Sequence, residues 1–156
     1  MAEHAGHRGL AAGCMVESAE GPVAMGETPG KGFAVLTRLP SGCLGFRQLI
    51  KVTSAGRVPL VRVVLESGHS VLAAAGHPFY RRGMEPVAAR DLVAGDLLET
   101  AFHYREGYVP ADAVEPVPRP AGAVRAVEPA GEGEVLTGVV RDTHVLFVTA
   151  GVLCGA

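Results

Sequence analysis

The sequence predicts an all-β domain, and three observations lead to this prediction. Short segments rich in Val and Leu recur along the chain, and 21 Gly and 11 Pro residues are spread between them. Apolar residues almost nowhere recur with a helical period over ten or more positions. Because runs of this length between Gly and Pro are typical of strands, we expect little or no helix.

The predicted strands follow one another from the first third of the chain to its end. They are the apolar segments FAVLTRL, FRQLIKVTSA, VPLVRVVLESG, HSVLAAAG, GDLLETAFHY, EVLTGVVRD and HVLFVTAGVL. Only EPVAARDLVAG departs from this pattern, and it predicts a short helical turn or an irregular loop. The stretch 111 to 134 is rich in Pro, Gly and Glu. It is predicted to be a mobile loop that contains at most one strand, AGAVRAVEP.

Size and charge limit the possible functions. The 156 residues are enough for one ordinary domain with a core. Lys and Arg number 14 and Asp and Glu number 16, so no nucleic acid partner is expected. No apolar run approaches the roughly 18 to 20 residues of a membrane span, and the first residues lack the order of a secretory signal. We therefore expect a soluble protein that contacts neither nucleic acid nor membrane.

The three cysteines, Cys14, Cys43 and Cys154, are too few and too scattered for a disulfide framework. No CxxC pair indicates structural zinc. Cys14 lies near the start and Cys154 near the end, and chain ends are often close in a fold. The two thiols are therefore candidates for a bridge or for a shared site.

His77 stands in the tripeptide GHP, for which two interpretations are open. In the first, Gly76 and Pro78 form a tight turn between two strands, and the imidazole is simply satisfied by a neighbour. In the second, His77 moves a proton in catalysis, since imidazole changes its protonation near neutral pH.

The order of five motifs bears on this choice. Along the chain these are AAGCM, GPVAMGETPGKGFAVLT, VRVVLESGHSVLAAAGHPFY, MEPVAARDLVAGDLLE and EVLTGVVRDTHVLFVTAGVLCGA. In this order and spacing they resemble the Hint superfamily, which includes inteins, bacterial intein-like domains and the autoprocessing domain of hedgehog proteins. The resemblance covers almost the whole chain after Gly13.

The resemblance implies a fold and a domain boundary. The fold would be a flattened horseshoe of two halves related by a pseudo-two-fold axis. A weak internal echo between PVAMGETPGKGFAVL and PVAARDLVAGDLLE agrees with two similar halves. Residues 1 to 13 would be an N-terminal flank, and residues 14 to 156 the autoprocessing domain.

The resemblance also implies a reaction of the chain on itself. The Cys14 thiolate would attack the carbonyl carbon of Gly13 and form a thioester by an N-to-S acyl shift. His77 would give a proton to the Cys14 nitrogen, and Asp142 and His144 would deprotonate Cys14 or relay protons. Water or a small thiol would resolve the thioester. The substrate is then the chain's own flanking polypeptide, turned over once, and neither a cofactor nor a metal is expected.

Two departures from the family pattern limit this expectation. The Thr three residues before the family's histidine is Ala74 here, and the terminal His-Asn of splicing inteins is Gly155 and Ala156. Asn cyclisation is therefore impossible, and N-terminal cleavage is expected rather than full splicing. The alternative function is that of a degenerate, non-catalytic Hint-like β-domain that acts as a structural or presenting module.

Two further classes fit less well. A cysteine hydrolase using Cys14 and His77 would lack the helix that usually presents a papain-like thiol, and no local protease signature is present. Zinc binding by His69, His77, His103 and His144 rests on composition alone, without ligand-like spacing.

Overall fold

The computed structural model describes residues 7–101, 109, 111 and 122–156. In these residues the regular elements are strands and two one-turn 3₁₀ helices, Met25–Glu27 and Ala89–Asp91. The strands are β1 (Leu10–Ala11), β2 (Met15–Ser18), β3 (Gly21–Ala24), β4 (Ala34–Arg38), β5 (Leu44–Leu65), β6 (Ser70–Ala74), β7 (Pro78–Arg81), β8 (Glu85–Ala88), β9 (Val124–Val140), β10 (Val145–Phe147) and β11 (Leu153–Gly155). The predicted all-β class is confirmed, and EPVAARDLVAG contains a short helical turn.

The strands form two antiparallel sheets. The larger has the order β3-β2-β4-β5-β6-β1-β9, with β9 also paired to β5, and the smaller has the order β10-β11-β7-β8. One core cluster takes side chains from both sheets, including Leu10 and Val63 from the larger and Phe79, Leu146 and Cys154 from the smaller. The two sheets therefore pack as layers around a shared core.

The long strand β5 changes the face that it buries along its length. Val58 and Leu60 pack in a separate cluster with Ala74, whereas Val63 and Leu65 belong to the main core. The register between β5 and β9 shifts between these two pairs. Because side chains alternate along a strand and the two pairs differ by an odd number of residues, they point to opposite faces of the sheet. One apolar segment thus serves both faces of the larger sheet.

Strand β1 lies before Cys14, within the segment expected to be the N-terminal flank. Leu10 of β1 pairs with Ala73 of β6 on one side and with Leu136 of β9 on the other. Leu10 is fully buried. Leu10 and Ala11 are therefore part of the larger sheet.

The structure differs from two expectations for the second half of the chain. The loop expected through residue 134 ends earlier, because β9 begins at Val124 and pairs with β5 along its length. Residues 112–121 lie outside the described residues. The strand expected in GDLLETAFHY is reduced, in its described part, to the isolated bridges Leu97↔Ala123, Arg81↔Leu98 and Thr100↔Val152.

Within the described ranges, the chain forms no helix of the length and apolar character needed to cross a membrane.

Candidate functional site

His77 lies in the tight turn between β6 and β7. Its backbone N–H donates to the carbonyl of Ala74 at 2.9 Å, and its own carbonyl accepts from Ala89 at 2.9 Å. The side chain is fully buried and meets the ring of Phe79 edge-on, with a centroid distance of 6.0 Å. The turn predicted from GHP therefore places the imidazole inside the protein.

Each ring nitrogen of His77 makes a hydrogen bond with the backbone of a different segment. Nδ1 accepts the N–H of Gly9 at 2.9 Å, and Nε2 donates to the carbonyl oxygen of Gly155 at 2.8 Å. Because Nδ1 accepts and Nε2 donates, the imidazole is neutral, with its proton on Nε2. We call His77, Gly9 and Gly155 the His77 latch. The latch joins the residue before β1 to the last residue of β11.

The surroundings of His77 favour this neutral form. Burial lowers the pKa of His77 to about 4, and the nearby charge of Arg8 acts in the same direction. The hydrogen bond to the Gly155 carbonyl favours the protonated form but only partly offsets the burial. At neutral pH the imidazole therefore keeps one proton, on the nitrogen that faces away from Gly9.

The latch has no room for a side chain at either glycine. A β-carbon at Gly9 would lie 2.8 Å from the Cβ of Val135, and the φ of Gly9 is +134°, which residues with side chains rarely adopt. A β-carbon at Gly155 would lie 2.7 Å from Cγ of Pro78. Both partners of His77 are therefore required to be glycine in this arrangement.

Cys14 lies apart from the latch, on the far side of the turn that follows β1. Its backbone N–H donates to the carbonyl of Ala11 at 2.9 Å. The hydrogen bond expected between His77 and the Cys14 nitrogen is thus not made, because the imidazole holds Gly9 and Gly155 while the Cys14 amide closes a turn. The peptide bond at His77 is the one between Arg8 and Gly9.

The Cys14 thiol lies in an apolar environment beside a cavity. Cys14 is 9% exposed, and burial raises the pKa of its thiol to about 12 against a smaller opposing effect of the Leu72 backbone. The thiolate is the nucleophilic form, so this thiol is weakly reactive at neutral pH. The cavity has a volume of about 360 Å³, and Gly13, Arg62 and His69 also line it.

Asp142 and His144 occupy the turn between β9 and β10. Both are exposed and have positive φ values, 69° and 62°. The carboxylate of Asp142 accepts from Nε of Arg47 at 3.2 Å. His144 lines a separate cavity with Arg8 and Ala156. Neither residue is among the described residues that line the cavity beside Cys14.

The structure also places the other histidines proposed for zinc. Both nitrogens of His77 are occupied by backbone groups, so this residue has no lone pair left for a metal. His69 is exposed beside β6, and His103 lies outside the described residues.

Sequence reasoning missed Gly9 as a partner of His77. The signal available was HRGL, in which Gly9 immediately precedes the buried pair Leu10 and Ala11. The sequence pattern favours Gly13 instead, because that glycine precedes a cysteine. Gly155 stands where the family pattern has a catalytic residue, and its carbonyl accepts from Nε2 of His77.

No family model matches the chain, and no curated protein matches its sequence. Solved structures do match its fold over 96% of its length. A DnaB intein from Synechocystis sp. PCC 6803 has a TM-score of 0.76 and 13% identity, with 99% of that chain covered. A bacterial intein-like domain from Clostridium thermocellum has a TM-score of 0.74 and 18% identity, with 99% covered. The gp41-1 intein has a TM-score of 0.68 and 14% identity, with 99% covered.

Proposed function

We propose that this chain, which has the Hint fold of inteins and intein-like domains, is a non-cleaving form of that fold. It acts as a structural module that holds the start and the end of the fold together and presents the polypeptide that precedes Gly9. The observation that carries this proposal is the His77 latch, in which one buried imidazole binds Gly9 and Gly155.

The first argument concerns the nucleophile. An acyl shift needs a thiol or a hydroxyl on the residue whose amide nitrogen is to leave. The amide nitrogen bound to His77 belongs to Gly9, which has only a hydrogen atom in that place. The close approach of Val135 leaves no space for a larger residue. The bond between Arg8 and Gly9 therefore lacks an internal nucleophile.

The second argument concerns the proton. A general acid must carry its proton on the atom that faces the leaving nitrogen. Nδ1 of His77 instead accepts a hydrogen bond from that nitrogen. With a pKa of about 4, roughly one molecule in a thousand would carry the second proton at pH 7. His77 is thus suited to holding the Gly9 amide and not to expelling it.

A second candidate function is the acyl shift at the bond between Gly13 and Cys14, with a thioester resolved by water or a small thiol. One observation favours it: Gly13 is exposed, and Gly13 and Cys14 line a surface cavity through which an acceptor would reach the thioester. Against it stand the raised pKa of the Cys14 thiol and the engagement of the Cys14 amide with Ala11. We rank it second for these reasons.

Intact mass measurement separates the two functions. The purified full-length chain is followed for hours at neutral pH with and without dithiothreitol, next to Cys14→Ala and, as the matched thiol control, Cys43→Ala. A non-cleaving module keeps its full mass in every sample. Loss of residues 1 to 13 from wild type and Cys43→Ala, faster with the thiol and absent from Cys14→Ala, would overturn the proposal in favour of the second candidate.

A further inference from the structure

Two buried thiols lie in the same part of the core. Cys14 and Cys154 are both free, both buried and both members of the main core cluster. Cys14 immediately precedes β2, and the carbonyl of Met15 accepts from the N–H of Thr149, just beyond β10. In turn, β10 pairs with β11, which carries Cys154 at its centre. The start of β2 thus lies against the sheet that contains Cys154.

The side chains face the same interior. Cys154, Leu146 and Phe79 are neighbours across the smaller sheet, and all three belong to the cluster that contains Cys14. Burial raises the pKa of the Cys154 thiol, and the charge of a Cys14 thiolate raises it further. The two thiols therefore lie in one continuous apolar interior.

The two thiols differ in their access to solvent. Cys14 lines the cavity of about 360 Å³, whose lining also contains the exposed residues Arg62 and His69. Cys154 is fully buried. A small anionic oxidant would meet the Arg62 cation in this cavity and would reach the sulfur of Cys14 first.

We propose that Cys14 and Cys154 form a reversible disulfide, with a small disulfide of the glutathione type as the oxidant. The Cys14 thiolate attacks one sulfur of the oxidant, the oxidant's S–S bond breaks, and one glutathione thiolate leaves and takes up a proton. The Cys154 thiolate then attacks the Cys14 sulfur of the mixed disulfide, and the second glutathione leaves in the same way. Two protein thiols are oxidised, and one molecule of oxidant is reduced to two thiols.

This cross-link would act beside the latch. It joins the segment that follows β1 to β11, the strand whose Gly155 accepts from His77. Because residues 14 and 154 enclose most of the chain, the closed loop is long, and long loops give disulfides their largest effect on the unfolded state. We expect the oxidised protein to melt about 10 °C higher than the reduced protein.

The test uses the full-length chain with Cys43→Ser, which removes the exposed thiol and leaves only the two buried ones. After incubation with oxidised glutathione at mildly alkaline pH, the intact mass should fall by about 2 Da, the mass of two hydrogen atoms. Peptide mapping should link the Cys14 peptide to the Cys154 peptide, and dithiothreitol should reverse both the link and the rise in Tm. Adding Cys14→Ser should abolish all three changes.

Two substitutions of Cys154 are compared, Cys154→Ser and Cys154→Val, because the serine places a hydroxyl in the core and the valine does not. Circular dichroism confirms that each variant is folded. In both variants the reaction at Cys14 should stop at the mixed disulfide with glutathione. A mixed disulfide on Cys14 that persists while Cys154 is present, or two unmodified thiols in the folded protein, would overturn the inference. Loss of residues 1 to 13 would instead overturn the non-cleaving function, and the same mass spectrum separates these results.

Discussion

The region around His77 and the turn at Cys14 are both close to the start of the fold, yet they are built in opposite ways. At His77 both nitrogens have partners, and a β-carbon at Gly9 or Gly155 would collide with a neighbour. At the Cys14 turn, a β-carbon at Gly13 would meet nothing within 4 Å, and a cavity adjoins the thiol. The first region is closed and holds the backbone, whereas the second is open and contains a thiol beside a cavity.

The comparison shows that a histidine and a cysteine in the same sequence cannot be assigned as a catalytic pair from their residue types alone. Both residue types that the acyl shift requires are present, but the backbone hydrogen bonds assign the imidazole to a different peptide nitrogen. What decides function is which amide the imidazole contacts, and in which protonation state. The following experiments test the contrast between the closed and the open region.

The largest effect is expected from removing the latch. His77→Ala deletes two hydrogen bonds, leaves the Gly9 N–H and the Gly155 carbonyl buried without a partner, and creates a cavity. We expect the free energy of unfolding to fall by about 4 kcal/mol, measured by urea denaturation. His69→Ala, at an exposed histidine, should change it by less than about 0.5 kcal/mol. Equal losses of unfolding free energy in His77→Ala and His69→Ala would refute the stabilising role of the latch.

Acid should weaken the protein through the same residue. The folded state holds the pKa of His77 at about 4, below the ordinary histidine pKa of 6.5, so between these pH values the unfolded chain binds more protons. The free energy of unfolding therefore rises between about pH 4 and pH 6.5, and His77 contributes about 3 kcal/mol to this rise. Above about pH 6.5 the contribution of His77 is constant. Urea denaturation at several pH values compares wild type with His77→Gln, which should lose this part of the slope. An identical slope in both proteins would show that His77 does not carry it.

Two glycine substitutions compare the regions directly. Gly9→Ala forces a β-carbon to within 2.8 Å of Val135 at a φ of +134°, so a loss of about 2 to 3 kcal/mol is expected. Gly13→Ala meets open space, and its effect should stay within about 0.5 kcal/mol. Thermal or urea unfolding measures both. If Gly13→Ala proved the more damaging, the assignment of the closed and open regions would be reversed.

The smallest effect is expected at Asp142. Its carboxylate makes an exposed ion pair with Arg47, and its φ of 69° suits Asn as well as Asp. Asp142→Asn should change the free energy of unfolding by less than about 0.5 kcal/mol and should leave the alkylation rate of Cys14 by iodoacetamide unchanged. A changed rate at Cys14, with unchanged alkylation of Cys43, would indicate that Asp142 acts on that thiol after all.

The sequence was sufficient for the fold class but not for the length of its strands. Val and Leu segments separated by Gly and Pro predicted strands, and the order of the motifs pointed to the fold. β5, however, continues through Gly56 and Pro59, and β9 continues through Pro129 and Gly131. Register shifts in the pairing of β5 with β9 accommodate irregular positions of this kind, and they depend on contacts between strands that are distant in sequence.

The site shows the same limit. The sequence singled out His77 from its turn, and the structure confirms the turn and buries the side chain. Its partners Gly9 and Gly155 have no side chains, so no pattern of residue types in the sequence predicts their contacts with His77. Their contacts with His77 arise only when β1 and β11 take their places in the two sheets. Backbone partners of this kind are a property of the fold and not of a motif.

The position of β1 between β6 and β9 has a consequence for the order of folding. Leu10 pairs with Ala73 and Leu136, so both of its partners are distant along the chain. Bringing such distant segments together costs loop entropy before any contact is gained, which makes this pairing slow. The first strand of the sequence is therefore expected to be among the last to dock, and the imidazole of His77 would find its two partners only in that final step.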